Sequence, residues 1–269
     1  MELRKLSILI DPGSVVTTSL NMLYKDKKLS IGTGFFIEQN EQKYLITNWH
    51  NVTGKNPLTK KNISSTLAVP DRLSFQLLQR GKLDRWVNCT LLLYSDADDN
   101  EQPKKPVWLE HPNYGNDVDV VAIKISDHAD TDIHTVDEIN KTPEMKITVT
   151  QDVFVLGYPK GISGSGNFPI WKRASIATEP GINRDGLPKM LIDTATREGM
   201  SGSPVVALSR GSHVNKNGAQ VIGQDGSRFI GVYSGRLGDG EGQAQLGIVW
   251  KASSVEEIIS HGVRGTGSF

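Results

Sequence analysis

The stretch Arg197-Glu198-Gly199-Met200-Ser201-Gly202-Ser203-Pro204-Val205-Val206 sets a serine between glycines immediately ahead of an apolar run. Such a turn leaves the hydroxyl clear of the backbone, and its glycines let a reactant approach closely. The N–H groups of the Gly199-Met200-Ser201 turn, those of Gly199 and Ser201 foremost, can then face a developing oxyanion, a stabilisation worth several kcal/mol in acyl transfer. A neutral serine is a weak nucleophile and needs a base within reach. LITNWHNV supplies His50 at the end of an apolar run, and DVVAIKI opens on Asp119, a carboxylate able to hold the imidazole tautomer and stabilise the imidazolium. Asp117 competes with Asp119, because residues two apart in a strand point the same way.

Other groups with chemical potential read differently. Gly161-Ile162-Ser163-Gly164-Ser165 imitates the nucleophile turn but lacks the Pro-Val-Val strand behind it, so it is expected to be a loop. Asp127, His128, Asp130, Asp132 and His134 lie at irregular spacing in a polar segment and are expected to be solvated rather than to bind metal. No metal and no cofactor is expected. The N-x-S/T patterns at Asn51, Asn62 and Asn88 are read as chance occurrences.

The elements that would position these groups are short β-rich runs with turn residues between them. SVVTTSLNMLY, GTGFFIE, KYLITN, LSFQLL, VNCTLLLY and DVVAIKI form a first set; MKITVT, DVFVLGY, KMLIDTAT, SPVVAL, FIGVYS and LGIVW form a second. The polar segment between them predicts a linker, so the expected organisation is an N-terminal arm 1–13, a β unit 14–126, a linker 127–144, a second β unit with a helix 145–261 and a loose tail 262–269. Ser254 with Glu257 three residues later predicts a capping box for the helix. Residues 95–106, 209–227 and 234–247 are expected to be exposed loops.

Taken together, GTGFFIE, LITNWHNV, DVVAIKI, VFVLGYPKG and GMSGSPVV, in that order, resemble the trypsin-like serine peptidases of the chymotrypsin clan, nearest their bacterial HtrA-like branch. The likeness spans roughly residues 14–260. It implies an all-β fold of two six-stranded antiparallel barrels with a short C-terminal helix. It implies His50, Asp119 and Ser201 as catalytic triad, with Asp119 preferred over Asp117 because DVVAIKI keeps the Lys and Ile five and six residues after Asp119, as the family's D-x-A-x-x-K-x pattern does. It also places Ala195 and Thr196 at the floor of the substrate side-chain pocket, makes Tyr233-Ser234-Gly235 the edge that pairs with substrate backbone, and sets Arg236 at the pocket mouth. No carboxylate falls on that floor, so an acyl-side residue of small or medium apolar type is expected and Lys or Arg is not; Asp193 lies nearby. No Ile-Val-Gly-Gly follows a basic residue, so activation by N-terminal cleavage is not expected. No C-terminal PDZ-like module is read, and Trp49 departs from the small residue many relatives carry before the histidine.

The implied activity is serine endopeptidase. A serine esterase would need G-x-S-x-G, which GMSGS breaks, and a binding module that has lost turnover would normally lack a triad member. Thirty basic and thirty acidic side chains leave no net field for nucleic acid or an anionic membrane. No run approaches the roughly 18 apolar residues of a membrane helix, and the start is too short in its apolar stretch for a signal peptide. The single cysteine, Cys89, excludes an internal disulfide and points to the cytoplasm. The expected partner is a protein or peptide substrate; the oligomeric state is open.

Overall fold

In the computed structural model, residues 10–64, 67–95, 105–237 and 245–266 are described. The first half of the chain carries β1 (Thr17–Tyr24), β2 (Lys27–Gln39), β3 (Gln42–Thr47), β4 (Arg72–Gln79), β5 (Trp86–Leu92), β6 (Trp108–Glu110), β7 (Val121–Ile125) and β8 (Thr131–Asp132). The second carries β9 (Asp152–Gly157), β10 (Ile170–Ile176), β11 (Lys189–Asp193), β12 (Pro204–Ser209), β13 (Ser212–Val214), β14 (Gln220–Ile222), β15 (Gly226–Arg236), β16 (Leu246–Lys251) and β17 (Val263–Arg264). Helix α1 (Trp49–Thr53) follows β3, and helix α2 (Ala252–His261) follows β16.

All strand pairs are antiparallel, so the chain is the expected all-β type with a short C-terminal helix. β9, β10, β11, β16, β15 and β12 close into a six-stranded barrel. The N-terminal unit is a nine-stranded sheet ordered β17-β6-β7-β3-β2-β1-β4-β5, with β8 on β4. Two cores follow from the alternation of apolar side chains: Leu20, Leu45, Leu73 and Trp108 fill the first sheet, Val153, Met190, Ile192 and Val205 the barrel. A third apolar layer, with Phe35 and Ile46 on one side and Leu156, Phe229 and Trp250 on the other, joins the two units.

Several expected elements fall elsewhere. MKITVT is not a strand; Met145 makes only a bridge to Asn215 while its side chain enters the barrel core. The strand that closes the barrel there is Ile170–Ile176. The segment 126–144 is only partly a solvated linker: β8 pairs with β4, and Val136 and Ile139 join the layer between the units. The same polar side chains are paired locally, Asp127 with Lys43 at 2.8 Å and His134 with Glu138 at 3.1 Å. Residues 212–222 of the expected loop 209–227 hold the β13–β14 hairpin. Helix α2 starts before Ser254, which is buried inside its first turn and donates to Pro188 O at 3.5 Å rather than capping. Residues 263–265 of the expected tail are anchored, since β17 pairs with β6 and Gly265 N–H donates to Trp108 O at 2.9 Å. Of the other two expected loops, residues 96–104 and 238–244 lie outside the described residues.

Candidate active site

The carboxylate and the imidazole are brought together by β3, α1 and the segment leading into β7. Asn48 is extended and α1 begins immediately after it, so His50 lies in the first helical turn rather than at the strand end itself. First-turn N–H groups have no partner within a helix. That of His50 donates to Asp119 Oδ1 at 2.9 Å, and His50 Nδ1 stands 2.7 Å from Asp119 Oδ2. Asp119 is 1% exposed, and its backbone carbonyl accepts from Asn48 Nδ2 at 2.6 Å. Ser234 Oγ adds a third hydrogen bond to the carboxylate, at 2.5 Å to Oδ2. With Nδ1 committed as donor to this buried carboxylate, Nε2 is left as the acceptor of the ring. Asp117 is exposed and stands 3.5 Å from Lys60 Nζ, away from His50's partners.

The nucleophile turn is pinned from both units. Ser201 O accepts from Thr33 N at 2.8 Å and from Asn51 Nδ2 at 3.1 Å. Gly199 O accepts from Thr33 Oγ1 at 2.7 Å, and Glu198 O accepts from Lys160 N at 2.6 Å. Because the peptide is planar and trans, holding Glu198 C=O toward Lys160 turns the Gly199 N–H to the opposite side. Gly199 has φ +90°, and a Cβ there would lie 2.4 Å from Tyr158 O, so only glycine fits. Among the described residues neither Gly199 N–H nor Ser201 N–H donates a hydrogen bond, whereas Met200 N–H donates to Arg197 O at 3.3 Å and its side chain is buried. Two free N–H groups therefore flank the serine.

Ser201 Oγ contacts Ser234 O at 3.5 Å. No hydrogen bond links it to His50 among the described residues; such links are commonly open without a substrate. Ser234 thus touches both ends of the arrangement, its hydroxyl on Asp119 and its carbonyl near Ser201.

The remaining expected site residues divide. Ala195 is exposed, while Thr196 is fully buried and its hydroxyl is hydrogen-bonded to that of Tyr233. Tyr233 is 2% exposed, and burial pushes its phenol up to about 12. Gly235 and Arg236 pair with Ile248 and Gly247 of β16, with an irregularity in register after Tyr233, and Arg236 is exposed. Sequence reasoning did not find Thr33, Asn48, Asn51 or Lys160, nor the bond from Ser234 to Asp119. Thr33 and Asn51 stand in GTGFFIE and LITNWHNV, but a hydrogen bond to the backbone of a residue about 150 positions away leaves no local signature.

A family model described as trypsin-like peptidase domain matches residues 32–214. No curated protein sequence matches the chain. Among solved structures, a serine endoprotease from Yersinia pestis superposes with a TM-score of 0.50 at 13% identity, covering 91% of this chain and 62% of that one. The HtrA-type protease AlgW, solved with a tripeptide, gives 0.51 at 16% identity, covering 92% and 61%. The chain thus spans about three fifths of the length of each. At such identities the likeness is one of fold.

Proposed function

Since the chain belongs to the family of trypsin-like peptidases, we propose that it is a serine endopeptidase whose catalytic triad is His50, Asp119 and Ser201, set between β units 14–126 and 145–261. The observation that carries this reading is the buried Asp119 carboxylate, which accepts from His50 Nδ1 at 2.7 Å and leaves Nε2 as an acceptor.

In the proposed cycle, Ser201 Oγ attacks the scissile carbonyl carbon while His50 Nε2 takes its proton. The resulting oxyanion accepts hydrogen bonds from Gly199 and Ser201 N–H, and Asp119 balances the imidazolium. His50 then protonates the leaving amine, the carbon–nitrogen bond breaks and an acyl-Ser201 ester remains. Water, deprotonated by the same imidazole, hydrolyses the ester and restores the hydroxyl. The substrate lies extended along Ser234–Arg236 as an added strand; Tyr233, expected on that edge, spends its backbone N–H on Ser203 O and its carbonyl on Gly202 N–H instead. The single cysteine supports a reducing compartment, and with it limited cleavage of a cytosolic protein as the role.

Casein cleavage compared with hydrolysis of a simple ester, for the native chain and Ser201→Ala, tests the reading. Peptide-bond cleavage dependent on Ser201 is expected, and it should persist in EDTA and in a thiol reductant. Ester hydrolysis alone would favour an esterase, and neither activity would favour a binding module.

A further inference from the structure

The space that would receive the substrate's acyl-side residue is closed by Tyr233. In the proposed cycle that residue has its carbonyl carbon at Ser201 Oγ and its oxygen toward Gly199 N–H, with its backbone on the 234–236 edge. Its side chain then points between that edge and segment 194–198. The Tyr233 ring spans this gap from β15. Its hydroxyl is hydrogen-bonded to Thr196 Oγ1, and its flank lies over Gly247: a Cβ on Gly247 would come 2.6 Å from Tyr233 Cε2 and 2.8 Å from Thr194 Cγ2.

An open side-chain pocket leaves its wall atoms wet. Here Thr194 is 3% exposed, Thr196 0%, Met200 0% and Tyr233 2%, and Gly247 is buried as well. The ring is also tightly held. The backbone that carries it is fixed beside the nucleophile turn, since Tyr233 N–H donates to Ser203 O and its carbonyl accepts from Gly202 N–H, both at 2.8 Å, while the ring itself is held at its far end by the bond between its hydroxyl and Thr196 Oγ1.

Resting on the peptidase reading, we infer that Tyr233 is the specificity-determining residue and that the enzyme cleaves after residues no larger than alanine or serine, excluding aromatic, long aliphatic and basic side chains. Discrimination by pocket size commonly reaches about 10–200-fold per methylene-scale difference.

The test uses the full chain and peptides that differ only in the acyl-side residue: Gly, Ala, Ser, Leu, Phe and Lys. Native kcat/KM for Ala is expected to exceed that for Leu or Phe at least about tenfold. Tyr233→Ala should raise the Phe-to-Ala ratio at least about tenfold, whereas Tyr233→Phe, which keeps the ring, should preserve the native ranking. Tyr233→Leu serves if Tyr233→Ala does not fold. A readout free of turnover is binding of p-cresol, an analogue of the whole tyrosine side chain, which should raise the Tm of Tyr233→Ala and not that of the native protein. Native cleavage after Phe as fast as after Ala, or p-cresol binding to the variant without any change in ranking, would overturn the inference. If no peptide is cleaved and Ser201 resists a fluorophosphonate, the peptidase reading fails instead; the closed pocket is then judged by p-cresol alone, and equal binding to both proteins overturns it.

Discussion

In the proposed triad Asp119 is an orienting group whose effect is felt through His50. Asp119→Asn disturbs the three bonds the carboxylate accepts, from His50 N–H, His50 Nδ1 and Ser234 Oγ, and should lower kcat by about 10⁴-fold through loss of the correct tautomer. Asp117→Asn should leave it nearly unchanged, because Asp117 faces Lys60 at the surface. Steady-state kinetics on one peptide ranks the two, and the opposite order would assign the role to Asp117. Ser234→Ala removes one charge-assisted bond and should cost about tenfold in kcat. His50→Ala and Ser201→Ala combined should lose little more than either alone, since the two act as a unit.

At the element scale, α1 is a short helix carrying the proposed base, and one turn of helix is marginal without tertiary anchoring. Its anchor is Trp49. Trp49 Nε1 donates to Glu110 Oε1 at 3.1 Å and Trp108 Nε1 donates to the same oxygen at 2.9 Å, while Lys60 Nζ lies 4.9 Å from the Trp49 ring centre. Glu110 is 2% exposed, so Glu110→Ala strands two buried indole N–H groups and should destabilise by about 3 kcal/mol or more in denaturant unfolding. It should lower kcat more than it raises KM, because His50 shifts while the substrate edge does not. Glu110→Gln keeps an acceptor and should recover much of both.

The apolar elements were legible in the sequence because their alternation is strong, as in GTGFFIE, DVFVLGY and SPVVAL. β10 was not, because in IWKRASI the adjacent charges of Lys172 and Arg173 break the apolar alternation and only Ala174 and Ile176 are buried. The pairs β8, β13–β14 and β17 are polar and two or three residues long, below any periodicity. MKITVT has strand-like composition but spends its apolar side chains bridging into the barrel rather than on a ladder. At the site, His50, Asp119 and Ser201 were legible as candidates because turn and strand-end chemistry is local. The proposed closure by Tyr233 was not, since it depends on Thr196 and Gly247 reaching the ring from two other segments.

Across the whole molecule, the two units are joined by the apolar layer around Phe35, Leu156, Phe229 and Trp250, and β17, following α2, pairs back onto β6. His111 sits inside this tie. It is fully buried, its Nδ1 accepts from Asn113 and Tyr114 N–H at 3.2 and 3.3 Å, and its Nε2 stands 3.2 Å from Glu257 Oε2 of α2 without hydrogen-bond alignment. Burial holds the imidazole below its ordinary value of 6.5, with Glu257 opposing. The folded state thus binds the proton less readily than the unfolded chain. The contribution is present above 6.5 and is lost as the pH falls from there through the lower folded value. Tm measured against pH should fall on that limb in the native protein and fall less in His111→Asn; an unchanged slope would remove His111 from the account. The proposed mechanism, however, requires that Ser201 be an activated nucleophile. A fluorophosphonate probe, with the adduct mapped by peptide mass spectrometry, tests it most directly. The prediction is one adduct, on Ser201, formed by the native chain and nearly abolished in a folded His50→Ala variant. A folded native protein that stays unlabelled, or that is labelled with equal ease when His50 is gone, would contradict it.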